Sequence, residues 1–315
     1  MFNSRQARRA FSTIPSFKSQ LFINNKWVTS EKTFDCINPA TEEVIAQVSS
    51  AQPHHIDAAV EAAQNALVNP SWAKIAANKR AAIMHKMADL IDANKEDLAY
   101  LEGMDNGKSL TAAAGDVAFS SDLFRYYAGA CTRIEGKSHQ RDDVNNLVTT
   151  RYEPVGVCGL ITPWNFPMTM TAFKMAPMLA SGSTGVFKPS ENACLSTLKF
   201  AELFASIDDL PAGVINVCQG LGPEAGQTMV DHDGIQKIGF TGSTAVAKQI
   251  MSRASASLKR VNLEAGGKNP LIIFDDADLG KAAGTASFCA FLNSGQFCGQ
   301  PSRIFVHEKV YDQVV

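Results

Sequence analysis

The sequence predicts an α/β fold: a doubly wound parallel sheet, the start of a second α/β unit, and a projecting β-hairpin. Three observations carry this. After Pro154, the apolar runs VGVCGLI, TGVFK and VINVC show no polar alternation, as strands buried on both faces do. Stretches of helical period separate these runs, which argues for βαβ units. The unusual residues fall in the loops PWNFP (163–167), KPSE (188–191), GLGPEAG (220–226) and FTGST (240–244). Such loops lie beyond the carboxyl ends of the strands, where open α/β sheets bind ligands.

The elements follow in order. LFINNKWV and EVIAQV read as short strands around a turn at Asn38-Pro39. From Pro53 to Val68, Ile56, Ala59, Val60, Ala63 and Leu67 recur at helical spacing, and Pro53 suits a first turn. Further helices are expected at about 78–101 and 109–128. Residues 138–152 are polar and β-prone, with turn signals at Asp142-Asp143 and Asn145-Asn146. Beyond Pro154 come helices at about 167–181, 194–207, 223–231 and 243–257. They alternate with VGVCGLI, TGVFK, VINVC and KIGF, and VNL and LIIF close the series.

With 315 residues, 45% hydrophobic and 19% charged, the chain is long enough for roughly two domains. The net charge of −2 gives no reason to expect nucleic acid or an anionic membrane as partner. No apolar run reaches the ~18 residues of a membrane span. Seven irregularly spaced cysteines without a CxxC pair suggest neither zinc nor a disulfide framework, and suit a reducing compartment. Residues 1–20 carry Arg5, Arg8, Arg9 and Lys18 among Ser, Phe and Ala, with no acid before Glu31. This resembles a mitochondrial transit peptide and points to the matrix, with the cytoplasm as runner-up.

The chemistry centres on FLNSGQFCGQPSR, where Cys298 sits between Gly295 and Gly299. Glu264 lies upstream in VNLEAGGKNP and Asn165 in ITPWNFP. A thiol, a carboxylate and an amide are the minimum set for covalent chemistry on a carbonyl: nucleophile, general base and oxyanion donor. GLGPEAG lacks a Walker lysine, which argues against a P-loop. In FTGST, Gly242 permits close backbone approach, and Ser243 at a helix start suits a pyrophosphate.

PWNFP, FKPSE, FTGST, LEAGGKNP and GQFCGQPSR, in that order and spacing, resemble the aldehyde dehydrogenase superfamily, from Leu21 to Val315. LFINNKWV, NPATEEVIAQV, RYYAG and RYEPVGV are similar to its broad-specificity NAD-dependent mitochondrial and cytosolic class. The resemblance implies NAD-dependent oxidation of a small aldehyde to a carboxylic acid. Cys298 would be the nucleophile, Glu264 the base, and Asn165 an oxyanion donor beside the Cys298 N–H. Lys188 and Glu191 would hold the adenosine ribose, with Glu191 favouring NAD over NADP. Trp164 and Ser243 would line the pyrophosphate site, with Gly242 beside them in the cofactor site. Phe166, Met170 and Phe173 would form an apolar substrate tunnel, and no metal is implied.

The implied domains are a Rossmann-like NAD-binding unit (21–137 and 155–264), an oligomerisation hairpin (138–154) making a homo-oligomer, and a partial catalytic domain (265–315). Gln300 and Pro301, Ala247 and the stop at Val315 depart from the family. The stop implies a C-terminally truncated form. The alternative is a non-catalytic paralogue that binds NAD or partner subunits.

Overall fold

The computed structural model describes residues 14–140 and 145–315. Arg5, Arg8 and Arg9 of the expected transit peptide, and the Asp142-Asp143 turn, lie outside the described residues. From Ser16 onward the chain is tied to the fold: Lys199 Nζ donates to Ser16 O at 2.9 Å, and Lys18 N to Glu202 Oε2 at 3.1 Å.

β1 (Leu21–Ile23) and β2 (Lys26–Val28) form an antiparallel hairpin. Its turn residues, Asn24 and Asn25, have φ of 51° and 59°, a region asparagine tolerates. β3 (Thr33–Ile37) and β4 (Val44–Ser49) make a separate antiparallel arm. Of this arm, the sequence reading assigned only β4. Then come α1 (Pro53–Val68), α2 (Pro70–Ala73), α3 (Ala77–Ala93), α4 (Lys95–Asn106) and α5 (Leu110–Ala130). The single helix expected at 78–101 is therefore two. Asn94, at φ −112° and ψ 22°, breaks it, and its side chain bonds back to Leu90 O. Asparagine's competition for local backbone groups is the physical reason. Gly107, at φ 85°, ends α4.

β5 (Lys137–His139) and β6 (Val148–Thr150) pair antiparallel as the expected hairpin. The regular region then runs β7 (Val157–Ile161), α6 (Pro167–Ala180), β8 (Thr184–Lys188), α7 (Leu195–Phe204), β9 (Ile215–Val217), α8 (Gln227–Asp231), β10 (Lys237–Gly242), α9 (Thr244–Ala254) and β11 (Arg260–Ala265). A π turn at Gly222–Gly226 leads into α8.

The sheet has seven strands in the order β11-β10-β7-β8-β9-β1-β2. β11 through β9 are parallel, while β1 meets β9 antiparallel through Phe22 and Val217. The expected all-parallel sheet thus carries an antiparallel edge. Alternate strand residues feed two cores, as the two-residue period requires. Leu21, Ile23, Val157, Ile161 and Val186 pack under α1 and α9. Phe22, Cys158, Leu160, Phe187 and Val217 pack under α3, α5, α6 and α7.

β12 (Asn269–Ile273) leaves this sheet and pairs in parallel with β13 (Pro301–Val306), around α10 (Leu279–Phe291). LIIF therefore does not close the main series. The outer surface of this unit is apolar and open, with Phe288 67% and Phe291 78% exposed.

Candidate active site

A cleft of about 1150 Å³ opens at the carboxyl ends of the parallel strands. All eleven residues singled out from the sequence line it: Trp164, Asn165, Phe166, Met170, Phe173, Lys188, Glu191, Gly242, Ser243, Glu264 and Cys298. Their elements explain why. Asn165 and Phe166 sit between β7 and α6, Lys188 ends β8, Gly242 ends β10, and Glu264 lies in β11 in register with Thr241.

At one end, the buried Lys188 Nζ lies 3.0 Å from Glu191 Oε2 and 3.0 Å from Pro189 O. Glu191 Oε1 also accepts from Gly222 N at 3.3 Å. Burial pushes the Lys188 pKa down, against the pull of Glu191. Burial, the largest single influence, raises Glu191, but the Lys188 ammonium and the backbone N–H groups, that of Gly222 among them, together outweigh it and leave the carboxyl below its usual value. Ser243 Oγ caps α9 by accepting from Val246 N at 3.3 Å. Gly242 has a steric reason of its own: an added Cβ would meet the Phe240 ring at 2.5 Å. Ala247, which departs from the family, packs into the core and does not line the cleft.

At the other end Cys298 is exposed. Its carbonyl accepts from Asn269 Nδ2 at 2.7 Å, and Gln300 Nε2 ties the loop to Ala290 O at 2.7 Å. Just upstream, Asn293, Ser294 and Gly295 all have positive φ. Asn165 Nδ2 donates to Gln296 O at 2.8 Å, which joins the amide to the cysteine loop. An amide nitrogen carries two N–H bonds, so a second remains for a ligand. Phe166 and Phe297 meet edge to face at 5.7 Å, as do Phe119 and Phe173.

Three features at or behind the cleft escaped the sequence reading. Phe119 extends the apolar wall from α5. Lys174 Nζ donates to Thr241 Oγ1 at 2.9 Å. Burial pushes its pKa down to about 8, while the Glu264 carboxylate pulls the other way. The signal for Lys174 was a lysine interrupting the apolar run of α6. Lys108 lies behind Asn165, 2.5 Å from Asp116 and 3.5 Å from the buried Glu102. Away from the cleft, Glu31, His54 and His55 have ligand atoms within 4.8 Å of one another. There His55 Nδ1 accepts from Gln52 N at 3.1 Å, so a neutral ring carries its proton on Nε2.

The Aldehyde dehydrogenase family pattern matches residues 27–315. The cytosolic 10-formyltetrahydrofolate dehydrogenase of Homo sapiens is 45% identical over 303 residues, covering 94% of this chain and 34% of that protein. An aldehyde dehydrogenase of Emericella nidulans is 45% identical over 300 residues, covering 94% of this chain and 59% of its own length. The NAD+ complex of an aldehyde dehydrogenase from Bacillus cereus superposes with a TM-score of 0.92 at 42% identity. It covers 100% of this chain and 63% of the other. The chain thus spans between about a third and two thirds of these relatives.

Proposed function

The chain belongs to the aldehyde dehydrogenase family, and from that premise we propose that it carries the cofactor half and the nucleophile of an NAD-dependent oxidation of aldehydes to carboxylic acids. The observation that carries the reading is the convergence of Cys298, Glu264, Asn165, Lys188 and Glu191 on one cleft.

Cys298 is open to solvent at the cleft. Its thiolate form is the nucleophile that attacks the aldehyde carbon. The resulting oxyanion is met by the free N–H of Asn165 and the Cys298 backbone N–H. Phe166, Met170, Phe173 and Phe119 give the substrate an apolar approach, suited to small aliphatic or aromatic aldehydes. Glu264 deprotonates the water that hydrolyses the Cys298 thioester to the acid. The residues present fit a dinucleotide: a buried ammonium and carboxylate at Lys188 and Glu191, and the start of α9 at Ser243. NAD bound there supplies the hydride acceptor. Glu191 disfavours a 2′-phosphate by like-charge repulsion, which selects NAD over NADP.

A second reading rests on the open apolar surface around Phe288 and Phe291. A surface of that kind marks an interaction site. Under this reading the chain binds NAD or partner subunits without turnover. The β5–β6 hairpin is the proposed contact of a homo-oligomer. No helix among the described residues is long and apolar enough to cross a membrane. The basic N-terminal segment favours the mitochondrial matrix over the cytoplasm, and fractionation of cells carrying the tagged protein checks this.

The deciding experiment is NADH formation by the purified chain given NAD and propanal. Sustained NADH, lost in Cys298→Ala with NAD binding kept, supports the enzyme reading. Silence from a folded, NAD-binding chain moves the reading to the binding-only form.

A further inference from the structure

Cys36 and Cys194 stand 158 positions apart in the chain, yet their sulfurs lie 3.7 Å from one another. Both side chains are buried, at 1% and 0% exposure. Cys36 belongs to β3, on the antiparallel arm. Cys194 immediately precedes α7 and lies three residues beyond Glu191, at the end of the loop that opens with Lys188. No other pair of cysteines has its sulfurs in contact among the described residues. The proposed reaction uses neither thiol.

We propose that Cys36 and Cys194 are an oxidation site, closed by a peroxide into a disulfide that ties the β3–β4 arm to the loop bearing Lys188 and Glu191. The sulfurs, 3.7 Å apart, start about 1.7 Å beyond bonding distance. The oxidant must be small and neutral, such as hydrogen peroxide, because both sulfurs are buried and neither lines the neighbouring crevice of about 380 Å³. One sulfur attacks the peroxide oxygen and becomes a sulfenic acid as water leaves. The second sulfur then displaces the hydroxyl as a second water. Two thiols lose two protons and two electrons, and the peroxide takes both.

The surroundings set the pace. The Cys36 sulfur and burial hold the Cys194 thiol well above its usual value, the Asp105 carboxylate adds to this, and Lys188 opposes it. Thiolate is therefore scarce, and oxidation is slow compared with that of the exposed Cys298. This makes the pair a record of sustained oxidant rather than a fast sensor. Once formed, the bond holds Cys194 closer to β3 and draws on the loop that ends there. The consequence for cofactor binding rests on the proposed role of Lys188 and Glu191; the linkage does not.

The test treats the folded chain with hydrogen peroxide, alkylates the remaining thiols under denaturing conditions and maps the peptides. The expected result is a peptide joining Cys36 to Cys194, about 2 Da lighter than the two thiol peptides together. It should be reversed by reductant and absent from Cys36→Ser and Cys194→Ser. Full alkylation of both cysteines while Cys298 is oxidised overturns the proposal. So does a linkage that forms only from unfolded protein, scrambled among other cysteines. NAD titration of the linked and reduced forms is expected to show several-fold weaker binding to the linked one. Equal affinities would remove the coupling to the cofactor loop.

Discussion

The Lys108 ammonium lies 3.1 Å from the main-chain oxygen of Asn165. That oxygen also accepts from Asn293 Nδ2 at 2.9 Å. The loop carrying the proposed oxyanion donor is thus held from behind by a buried cation and from the side by the cysteine loop. Lys108 is itself held by Asp116 and Glu102, and it sits 4.4 Å over the Phe166 ring.

Removing one partner of a buried ion pair leaves an uncompensated charge and typically costs about 3–5 kcal/mol. Lys108→Met is expected to destabilise the chain by that order in urea unfolding. Burial already raises the Glu102 pKa, against the pull of Lys108. Adding Glu102→Gln to Lys108→Met should therefore restore part of the loss. If Lys108→Met unfolds at the wild-type midpoint, the cluster contributes no net stability.

A second buried carboxylate gives a pH dependence. Asp105 accepts from Leu195 N at 2.7 Å and so caps α7 from a distance. Burial raises its pKa from 3.8 to about 7. Between about pH 4 and 7 the folded chain holds this proton and the unfolded chain does not. This contribution to stability therefore falls as pH rises through that window, and its full penalty is present above it. Asp105→Asn keeps an oxygen for the cap without the charge. It is expected to flatten the decline by a few kcal/mol, read from urea midpoints across the pH range; an unchanged slope would remove Asp105 from the account.

What was legible in the sequence depended on how far local pattern fixes surroundings. Val157–Ile161 and Thr184–Lys188 are buried throughout, so their unbroken apolar character points to central strands. Motifs on the loops after those strands could be placed on one cleft because strand order does not matter to which end a loop occupies. Lys108 and Lys174 were not legible. A charged residue beside an apolar stretch reads as surface, and only the fold shows that a carboxylate or hydroxyl waits inside. Asn94 was missed because asparagine tolerates both a helix and its end. β3 was missed because, although Phe34 and Cys36 turn inward and Thr33, Asp35 and Ile37 outward, the apolar Ile37 on the outer face blurs that alternation in so short a strand.

The oxyanion role separates from simple access to the thiol. Losing one oxyanion donor typically costs about 10²–10³ in turnover, and Asn165→Ala is expected to fall in that range. Alkylation of Cys298 by iodoacetamide passes through no oxyanion, so its rate should stay close to wild type. A parallel loss in both would instead mean that Asn165 holds the cysteine loop through its bond to Gln296 O.

Under the proposed function, cofactor choice is expected to turn on Lys188 and Glu191, which pair at 3.0 Å. Lys188 is buried and held by one carboxylate, and the same carboxylate faces the cleft where an adenosine ribose is proposed to lie. A ribose 2′-OH can donate to Glu191, whereas a 2′-phosphate meets its charge at short range. Glu191→Ser removes that repulsion and frees the Lys188 ammonium for an anion. NADP binding is then expected to strengthen by roughly tenfold or more, about 1.4 kcal/mol per factor of ten. NAD binding should weaken, since a serine accepts less well than a carboxylate. Trp164 lines the cleft, so quenching of its fluorescence gives both affinities. If the two affinities move together, Glu191 shapes the loop without reading the 2′ position.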